Sequence, residues 1–358
     1  MAAGALAQDF DVGGVAGWVR ARPLAVALGL LVVLAVTLVV GVGLGSVSIP
    51  PAETLGIVIR RTLGITLPIA WSDATETIVW DLRLPRVLTA MLVGAGLAVA
   101  GATFQGLLRN PLADPFVLGT SAGAALGAAV AVLLPVQLLL VAFSLLHGLA
   151  FVGALGAAWL VLRLGGSGGP GALTRLLLTG YAVASVLTAF LTLAMYVSGS
   201  DLQQIFGFLL GGLGGSSWPR LLVAAPLIIG AIVLILARAR VLDGMLLGDA
   251  AATHLGIDVR RQRGLLVAFA SMATAAGVAI AGLIGFVGLV VPHVVRLVVG
   301  PTAGRVIPIS ALAGAALLAI ADLVARLAGD IPVGVVMALV GAPFFLLLLS
   351  RSRTRYEL

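Results

Sequence analysis

Residues 264–295 read GLLVAFASMATAAGVAIAGLIGFVGLVVPHVV, a run without lysine, arginine, aspartate or glutamate. A helix that crosses a bilayer needs about 20 apolar residues, so the run is too long for a single crossing. Its glycine-rich centre, Gly282-Leu-Ile-Gly-Phe-Val-Gly288, is typical of a turn. The stretch therefore predicts two membrane helices joined by a tight connection.

The composition of the whole chain agrees with a membrane location. Of its 358 residues, 61% are hydrophobic and 10% are charged, and the mean hydropathy is +1.20. A soluble domain carries roughly 25% charged residues because it needs a solvated surface. The 47 glycines are typical of membrane helices that pack closely through small residues, and the lack of cysteine excludes disulfides and thiolate metal sites.

The same criteria divide the rest of the chain, with Pro135 as the break in the uncharged stretch 115–162. The predicted fold class is an all-α integral membrane protein of ten transmembrane helices. The predicted spans are 23–45, 87–108, 115–134, 138–162, 176–199, 221–237, 264–284, 286–300, 307–328 and 331–350. Residues 202–213 predict a short helix that does not cross.

The predicted organisation is an N-terminal segment 1–22, one transmembrane domain 23–351 and a tail 352–358. The uncharged run 23–52 exceeds the 7–15 residues or so of a signal-peptide core, and acidic Asp9 and Asp11 precede it. We therefore expect a retained first helix.

The arginines orient the chain. The net charge of +7 comes from 21 arginines and no lysine, and they stand between apolar runs rather than in a patch suited to nucleic acid. With both termini cytoplasmic, fifteen of them lie inside and six outside, as the positive-inside rule requires. The outer six are Arg60, Arg61, Arg83, Arg86, Arg220 and Arg326.

The residues for catalysis are missing. His147, His254 and His293 have no second ligand at metal-binding spacing, and no nucleophile–base set is apparent. Without lysine, no Walker A motif exists, so the chain does not hydrolyse ATP in that manner. Asp322 stands four residues before Arg326, where the two can pair on one helix face, and this argues against an ion-coupled carboxylate.

Two inner connections are candidates for function. The first is Arg109-Asn-Pro-Leu-Ala-Asp-Pro115, where two prolines force a non-helical turn and Asn110 can bond the freed backbone groups. A plain helix hairpin is the other interpretation.

The second candidate is the long inner segment 242–263, in which Gly248 and Gly256 bound a short, mildly amphipathic helix. Its apolar positions predict a docking surface for a cytoplasmic partner, and a helix lying flat on the membrane is the alternative.

With these residues in view, residues 80–350 resemble the permease subunits of type II ABC importers for ferric siderophores, haem and cobalamin. The motifs occur in the order of that family, and in combination they are specific. They are Arg83-Leu-Pro-Arg86, Gly94-Ala-Gly-Leu-Ala98, Gly101, Gln105, Arg109-Asn-Pro-Leu-Ala113, Leu247-Gly248, His254-Leu-Gly256, Gly282 to His293, Arg296, Asp322, Arg326, Pro332-Val-Gly334 and Gly341-Ala-Pro343.

The resemblance implies a type II importer permease fold, a non-catalytic chain in the cytoplasmic membrane and a ferric siderophore as cargo, with haem or cobalamin as alternatives. It implies a second permease subunit, two copies of an ATP-binding cassette ATPase that hold ATP and Mg, and an extracytoplasmic substrate-binding protein. No cofactor and no metal site are expected on the chain itself.

Site residues carry over by position. The resemblance implies ATPase coupling by Leu247, Gly248, Ala251, His254, Leu255 and Gly256. It implies docking of the binding protein by Arg83, Arg86 and Arg326, and a translocation gate at Asn110, Leu112, Leu173 and Thr174. Leu173 departs from the small polar residue expected there. Pro301-Thr-Ala-Gly-Arg305 departs from the family's Asp-His-Arg run, which puts a local cytoplasmic contact in doubt.

Two other functions are alternatives to an importer permease. A secondary transporter would work without an ATPase and would stop when an ion gradient is dissipated. A membrane-embedded enzyme is the weaker alternative because the chain lacks catalytic constellations.

Overall fold

The computed structural model describes residues 22–45, 47–134, 139–140, 143–166 and 171–353. The predicted N-terminal segment 1–22 and tail 352–358 therefore lie outside the described residues, apart from Arg22, Ser352 and Arg353.

Long apolar helices make up most of the described chain. Seven candidate spans are long and apolar enough to cross a membrane: α1 Pro23–Gly43, the continuous helix Asp73–Leu108, α6 Leu145–Gly165, α7 Ala172–Val197, α9 Trp218–Leu236, α12 Val259–Ala281 and α14 Ala303–Leu327. Three shorter apolar stretches are α5 Thr120–Leu133, α13 Val287–Val299 and the part Val333–Leu347 of helix α15 Val333–Arg353. Each predicted span thus has a helix in the described chain, and the number of crossings stays a prediction.

Shorter elements lie between them. They are α2 Pro51–Leu63, a 3-10 turn Pro115–Leu118, β1 Leu139–Leu140, β2 Phe143–Ser144, α8 Leu202–Leu210, α10 Ala239–Leu246 and α11 Asp249–His254. The two short strands pair in antiparallel register, Leu139 with Ser144, so the helix predicted from residue 138 begins at Leu145 instead.

The helix Asp73–Leu108 differs from the prediction at its start. The expected span began at residue 87, but the helix runs through α3 Asp73–Thr77, a wider π turn Ile78–Arg83 and α4 Leu84–Leu108. Pro85 has no backbone N–H to donate, and the π turn immediately before it accommodates this gap without ending the helix. Arg83 and Arg86 therefore lie within a helix rather than in a loop.

The predicted turn in the long apolar run is confirmed. Helix α12 ends at Ala281 and α13 begins at Val287. Gly282 has φ 68° and Phe286 has φ 67°, so the connection uses the left-handed region at both ends.

Helices α4 and α12 form the centre of the bundle. The most apolar window of the helix containing α4 is 78% buried and that of α12 is 72% buried, against 17% for α1 and 22% for α7. Glycine allows the close approach: a Cβ added at Gly101 would lie 1.8 Å from the carbonyl oxygen of Gly288 in α13. The peripheral helices are left to face lipid or another subunit.

Candidate functional site

The segment 242–263 folds as the sequence predicted, with a short helix between two glycines. Helix α11 spans Asp249–His254, and Gly248 (φ 111°) and Gly256 (φ 78°) flank it. Positive φ favours glycine, because a side chain there would be strained. Residues 247–258 therefore form a separate turn between α10 and α12, whose ends supply the rest of the segment.

Two leucines at this segment face outward. Leu247 is 69% exposed and Leu255 is 63% exposed, while Ala252 between them is fully buried. His254 is exposed, Ala251 is half-buried, and Met245 is buried. Apolar side chains on a protruding polar segment are suited to contact with another protein. The ATPase-coupling role of these residues stays a prediction.

Ion pairs attach α11 to two central helices. Asp249 accepts a hydrogen bond from Arg109 at 2.6 Å through Oδ1 and one from Arg263 at 2.8 Å through Oδ2. Burial raises the pKa of Asp249, but the two guanidinium groups outweigh it and hold the pKa below its usual value. Sequence reasoning missed this cluster. The available signal was Arg263, an arginine next to the apolar run, which needs a carboxylate partner once it is buried.

The four predicted gate residues lie in two parts of the chain, the loop after α4 and the start of α7. Asn110 Oδ1 accepts a hydrogen bond from the Leu112 amide at 2.9 Å, so the predicted role of Asn110 in this turn is confirmed. Leu173 and Thr174 lie in the first turn of α7. The gate role of all four residues stays a prediction.

A cavity of about 780 Å³ connects these parts. Arg109 lines it next to residues 110–112, which we call the gate loop. Leu173 and Thr174 line it from α7, and Asp249 and Ala250 line it from α11. Two of the predicted gate residues and helix α11 therefore line the same cavity.

Asp114 follows the gate loop by two residues and precedes the 3-10 turn Pro115–Leu118. Its carboxylate accepts a hydrogen bond from the Phe116 amide at 2.8 Å and so caps the 3-10 turn. Burial raises the pKa of Asp114 to about 6, although this hydrogen bond opposes the shift.

The three predicted docking arginines lie together at the opposite end of the bundle. Arg83 donates to the carbonyl oxygens of Val42 at 3.0 Å and Gly43 at 2.9 Å, and Arg326 donates to Gly41 at 2.8 Å. These carbonyls have no helical partner because α1 ends there. The three arginines are largely buried: Arg83 is 8% exposed, and the side chains of Arg86 and Arg326 are 13% and 8% exposed. The docking role itself stays a prediction.

The predicted Asp322–Arg326 pair is confirmed and belongs to a larger network. Asp322 is fully buried and accepts from Arg326 at 3.1 Å and from Arg86 at 2.9 Å. Arg86 also donates to Asp330 at 2.8 Å, and Asp330 is largely exposed. Two cations thus compensate the buried carboxylate, as burial of a charge requires.

Two further motif residues meet in the interior. Arg296 of α13 donates to Gln105 Oε1 and to the Ala102 carbonyl of α4 at 2.9 Å. Gln105 in turn donates to the Leu289 carbonyl at 3.0 Å. This network crosslinks α4 and α13. Among the described residues, no group of three acidic, histidine or cysteine side chains could hold a metal ion.

The family is decided by the chain's match to the model of the FecCD transport family over residues 31–351. The chain belongs to this family. It is 44% identical over 284 residues to the cobalamin import system permease protein BtuC of Halobacterium salinarum, covering 79% of this chain and 76% of that protein. It is 40% identical over 309 residues to the hemin transport system permease protein HmuU of Yersinia pestis, covering 84% and 92%.

Solved structures agree with this assignment. A metal-chelate type ABC transporter in an inward-facing conformation matches with a TM-score of 0.78 and 29% identity, over 91% of this chain and 99% of that one. The FecCD-family chain is therefore a predominantly helical, multi-pass protein of the inner membrane with the type II importer permease fold. It is the permease component of an ABC importer for metal chelates.

Proposed function

We propose that this permease moves a metal chelate from an extracytoplasmic binding protein into the cytoplasm by alternating access. Two ATPase subunits, which hold the ATP and Mg, drive the cycle by gripping segment 242–263. The observation that carries this proposal is the pair of exposed leucines, Leu247 and Leu255, which flank helix α11, because Asp249 of that helix is paired with Arg109 at the start of the gate loop. The permease itself performs no catalysis.

A second copy of the chain completes the pathway in this proposal. Helix α7 exposes aromatic and aliphatic side chains along most of its length, with Tyr181, Phe190 and Tyr196 the largest of them. Such a surface is suited to close contact with an identical subunit around a central pathway. Equal amounts of permease and ATPase, two of each, are expected when the purified complex is weighed by native mass spectrometry.

The cargo predicted from the sequence is a ferric siderophore. A corrinoid is the second candidate, and a specific observation favours it: the relative from Halobacterium salinarum, 44% identical, is named for cobalamin import. Haem is the third, through the relative named for hemin transport.

The cargo can be identified on the purified complex with its binding protein. Elemental analysis and mass spectrometry of the released ligand separate the candidates, since a corrinoid carries cobalt, haem carries an iron porphyrin, and a siderophore carries iron on an acyclic or cyclic oxygen-donor ligand. A released ligand without metal would contradict the proposal. Uptake by the permease alone, driven by an ion gradient, would favour a secondary transporter instead.

Asp330 provides a test of binding-protein docking at the end of the bundle that carries Arg86. In the free permease it occupies one side of Arg86, so a carboxylate of the binding protein would have to compete with it. We expect Asp330→Asn to strengthen binding-protein docking two- to fivefold at low salt, because an exposed pair is worth up to about 1 kcal/mol, and to lose this effect at high salt. Asparagine also tolerates the φ of 60° at this position.

The matched control for this measurement is Asp81→Asn. It removes an exposed carboxylate from the helix that carries Arg86 but leaves the Arg86–Asp330 pair in place. It separates the effect of net charge from the release of Arg86. Affinity that is unchanged by Asp330→Asn at low ionic strength would remove Arg86 from the docking surface.

A further inference from the structure

Asp249 connects three parts of the permease through its two carboxylate oxygens. Arg109 donates to one oxygen and Arg263 donates to the other. Arg109 also donates through Nε to the Met245 carbonyl at 3.1 Å, which gives it a second contact with the coupling segment. The first residue of α11 is thereby bonded to the end of α4 and to the start of α12.

Arg109 is the residue at which α4 turns into the gate loop. Its φ of 49° and ψ of 34° place it in the left-handed region, which few non-glycine residues adopt. The neighbouring amide of Asn110 donates to the Gln105 carbonyl at 3.1 Å and closes the end of the helix. A change in the position of Arg109 therefore changes the direction in which residues 110–112 leave α4.

Arg263 is a fixed anchor on the other side. It is 1% exposed, and its α12 is one of the two most buried helices of the bundle. Asp249 is about half exposed at the edge of the shared cavity. Of the three groups, Arg263 is thus held by surrounding packing, whereas Asp249 and Arg109 have space to move.

We propose that Asp249 is a positioning residue for transport: through Arg109 it carries a displacement of α11 to the gate loop 110–112, and Arg263 fixes its other oxygen to the static bundle. This proposal rests on the proposed function. In this proposal the ion pair between Asp249 and Arg109 converts a movement of the ATPase into opening of the gate. Apolar packing of segment 242–263 does not carry that role.

The test uses the permease reconstituted in proteoliposomes with its ATPase and binding protein. Asp249→Asn keeps the size of the side chain and removes the charge that holds both arginines. We expect the ATPase to remain bound and ATP hydrolysis to stay within about twofold of the wild type, while substrate transported per ATP falls about tenfold. Asp249→Glu, which restores the charge, is expected to recover most of the coupling.

A double-mutant cycle examines the link to the gate loop. Arg109→Gln is expected to reproduce the loss, and the variant carrying both changes is expected to be no worse than either alone, because the two residues act as one linkage. Asp201→Asn, at an exposed carboxylate far from this cluster, is the matched control and should transport as the wild type does.

The gate loop can also be followed directly because the chain contains no cysteine. The thiol of Leu112→Cys is expected to change its labelling rate several-fold when ATP is added, and to lose that response when Asp249→Asn is combined with it. A normal transport-to-ATP ratio in Asp249→Asn would overturn the proposal. Loss of ATPase binding in that variant, or additive effects in the cycle, would assign Asp249 a structural role and overturn it as well.

The failure of this inference is distinct from a failure of the proposed function. If the wild-type chain moved substrate without the ATPase, the proposed function would fail before any variant is compared. If wild-type transport requires the ATPase and Asp249→Asn is fully coupled, the inference alone fails.

Discussion

Leu255→Arg is expected to abolish ATP-driven transport while leaving the permease folded. Leu255 is 63% exposed, so a longer, charged side chain meets little of the permease itself. In the proposed complex the same position is covered by the ATPase, where an unpaired charge costs about 3 kcal/mol or more. That corresponds to a loss of about a hundredfold in ATPase affinity, measurable by co-purification and by substrate-stimulated ATP hydrolysis.

A matched control exists at the opposite end of the bundle, in helix α2, which packs against α1 and the π turn Ile78–Arg83. Leu63→Arg makes the same substitution at an equally exposed leucine, the last residue of α2, where a cation suits the helix C-terminus. Its transport should equal that of the wild type. Undiminished substrate-stimulated ATPase activity in Leu255→Arg would show that Leu255 is not part of the ATPase contact.

Gly101→Ala is expected to destabilise the bundle strongly. The added Cβ would lie 1.8 Å from a backbone oxygen of Gly288, and backbone cannot move aside as a flexible side chain can. Helices α4 and α13 must then separate, which also stretches the hydrogen bonds from Arg296 to Gln105 and Ala102. We expect the free energy of unfolding in detergent to fall by about 3 kcal/mol, at the upper end of the usual range for overpacking.

Gly156→Ala is the control for helix propensity. Gly156 lies inside α6 with nothing within 4 Å of its added Cβ, so alanine should be neutral or stabilise the protein by up to about 1 kcal/mol. Thermal unfolding of the two variants gives the comparison. Equal melting temperatures for Gly101→Ala and the wild type would mean that α4 and α13 do not pack as closely as described.

The features that the sequence predicted correctly depend on neighbouring residues. The turn at 282–288, the short helix between Gly248 and Gly256 and the Asp322–Arg326 pair follow from glycine placement and helical spacing. Such signals act over a few residues, so a single sequence contains them in full.

The features that were missed depend on residues far apart in the chain. Arg109 and Asp249 are separated by 140 residues and Arg86 and Asp322 by 236, and no local pattern records such pairs. The sequence limits the partner of Arg263 to a few residues, because a buried arginine needs a carboxylate nearby. Segment 242–263 contains three: Asp243, Asp249 and Asp258. Choosing among them requires knowing which side of α11 faces the bundle.

The π turn before Pro85 and the carbonyl contacts of Arg83 were missed for a different reason. The Arg83-Leu-Pro-Arg86 motif contains a proline, which disfavours helical conformation in the residue before it, and the span predicted from residue 87 begins only after this motif. The helix instead widens and continues, so Arg83 and Arg86 both lie within it. Arg83 donates a hydrogen bond to α1, and Arg86 pairs with Asp322 of α14.

The proposed coupling to an ATPase requires segment 242–263 to lie on the cytoplasmic side of the membrane, and labelling a single residue measures this most directly. In the cysteine-free chain, Leu255→Cys provides a single thiol for a maleimide that cannot cross membranes. We expect labelling in inside-out vesicles, no labelling in right-side-out vesicles, and protection when the ATPase subunit is added. Labelling from the outer face would contradict the proposed coupling.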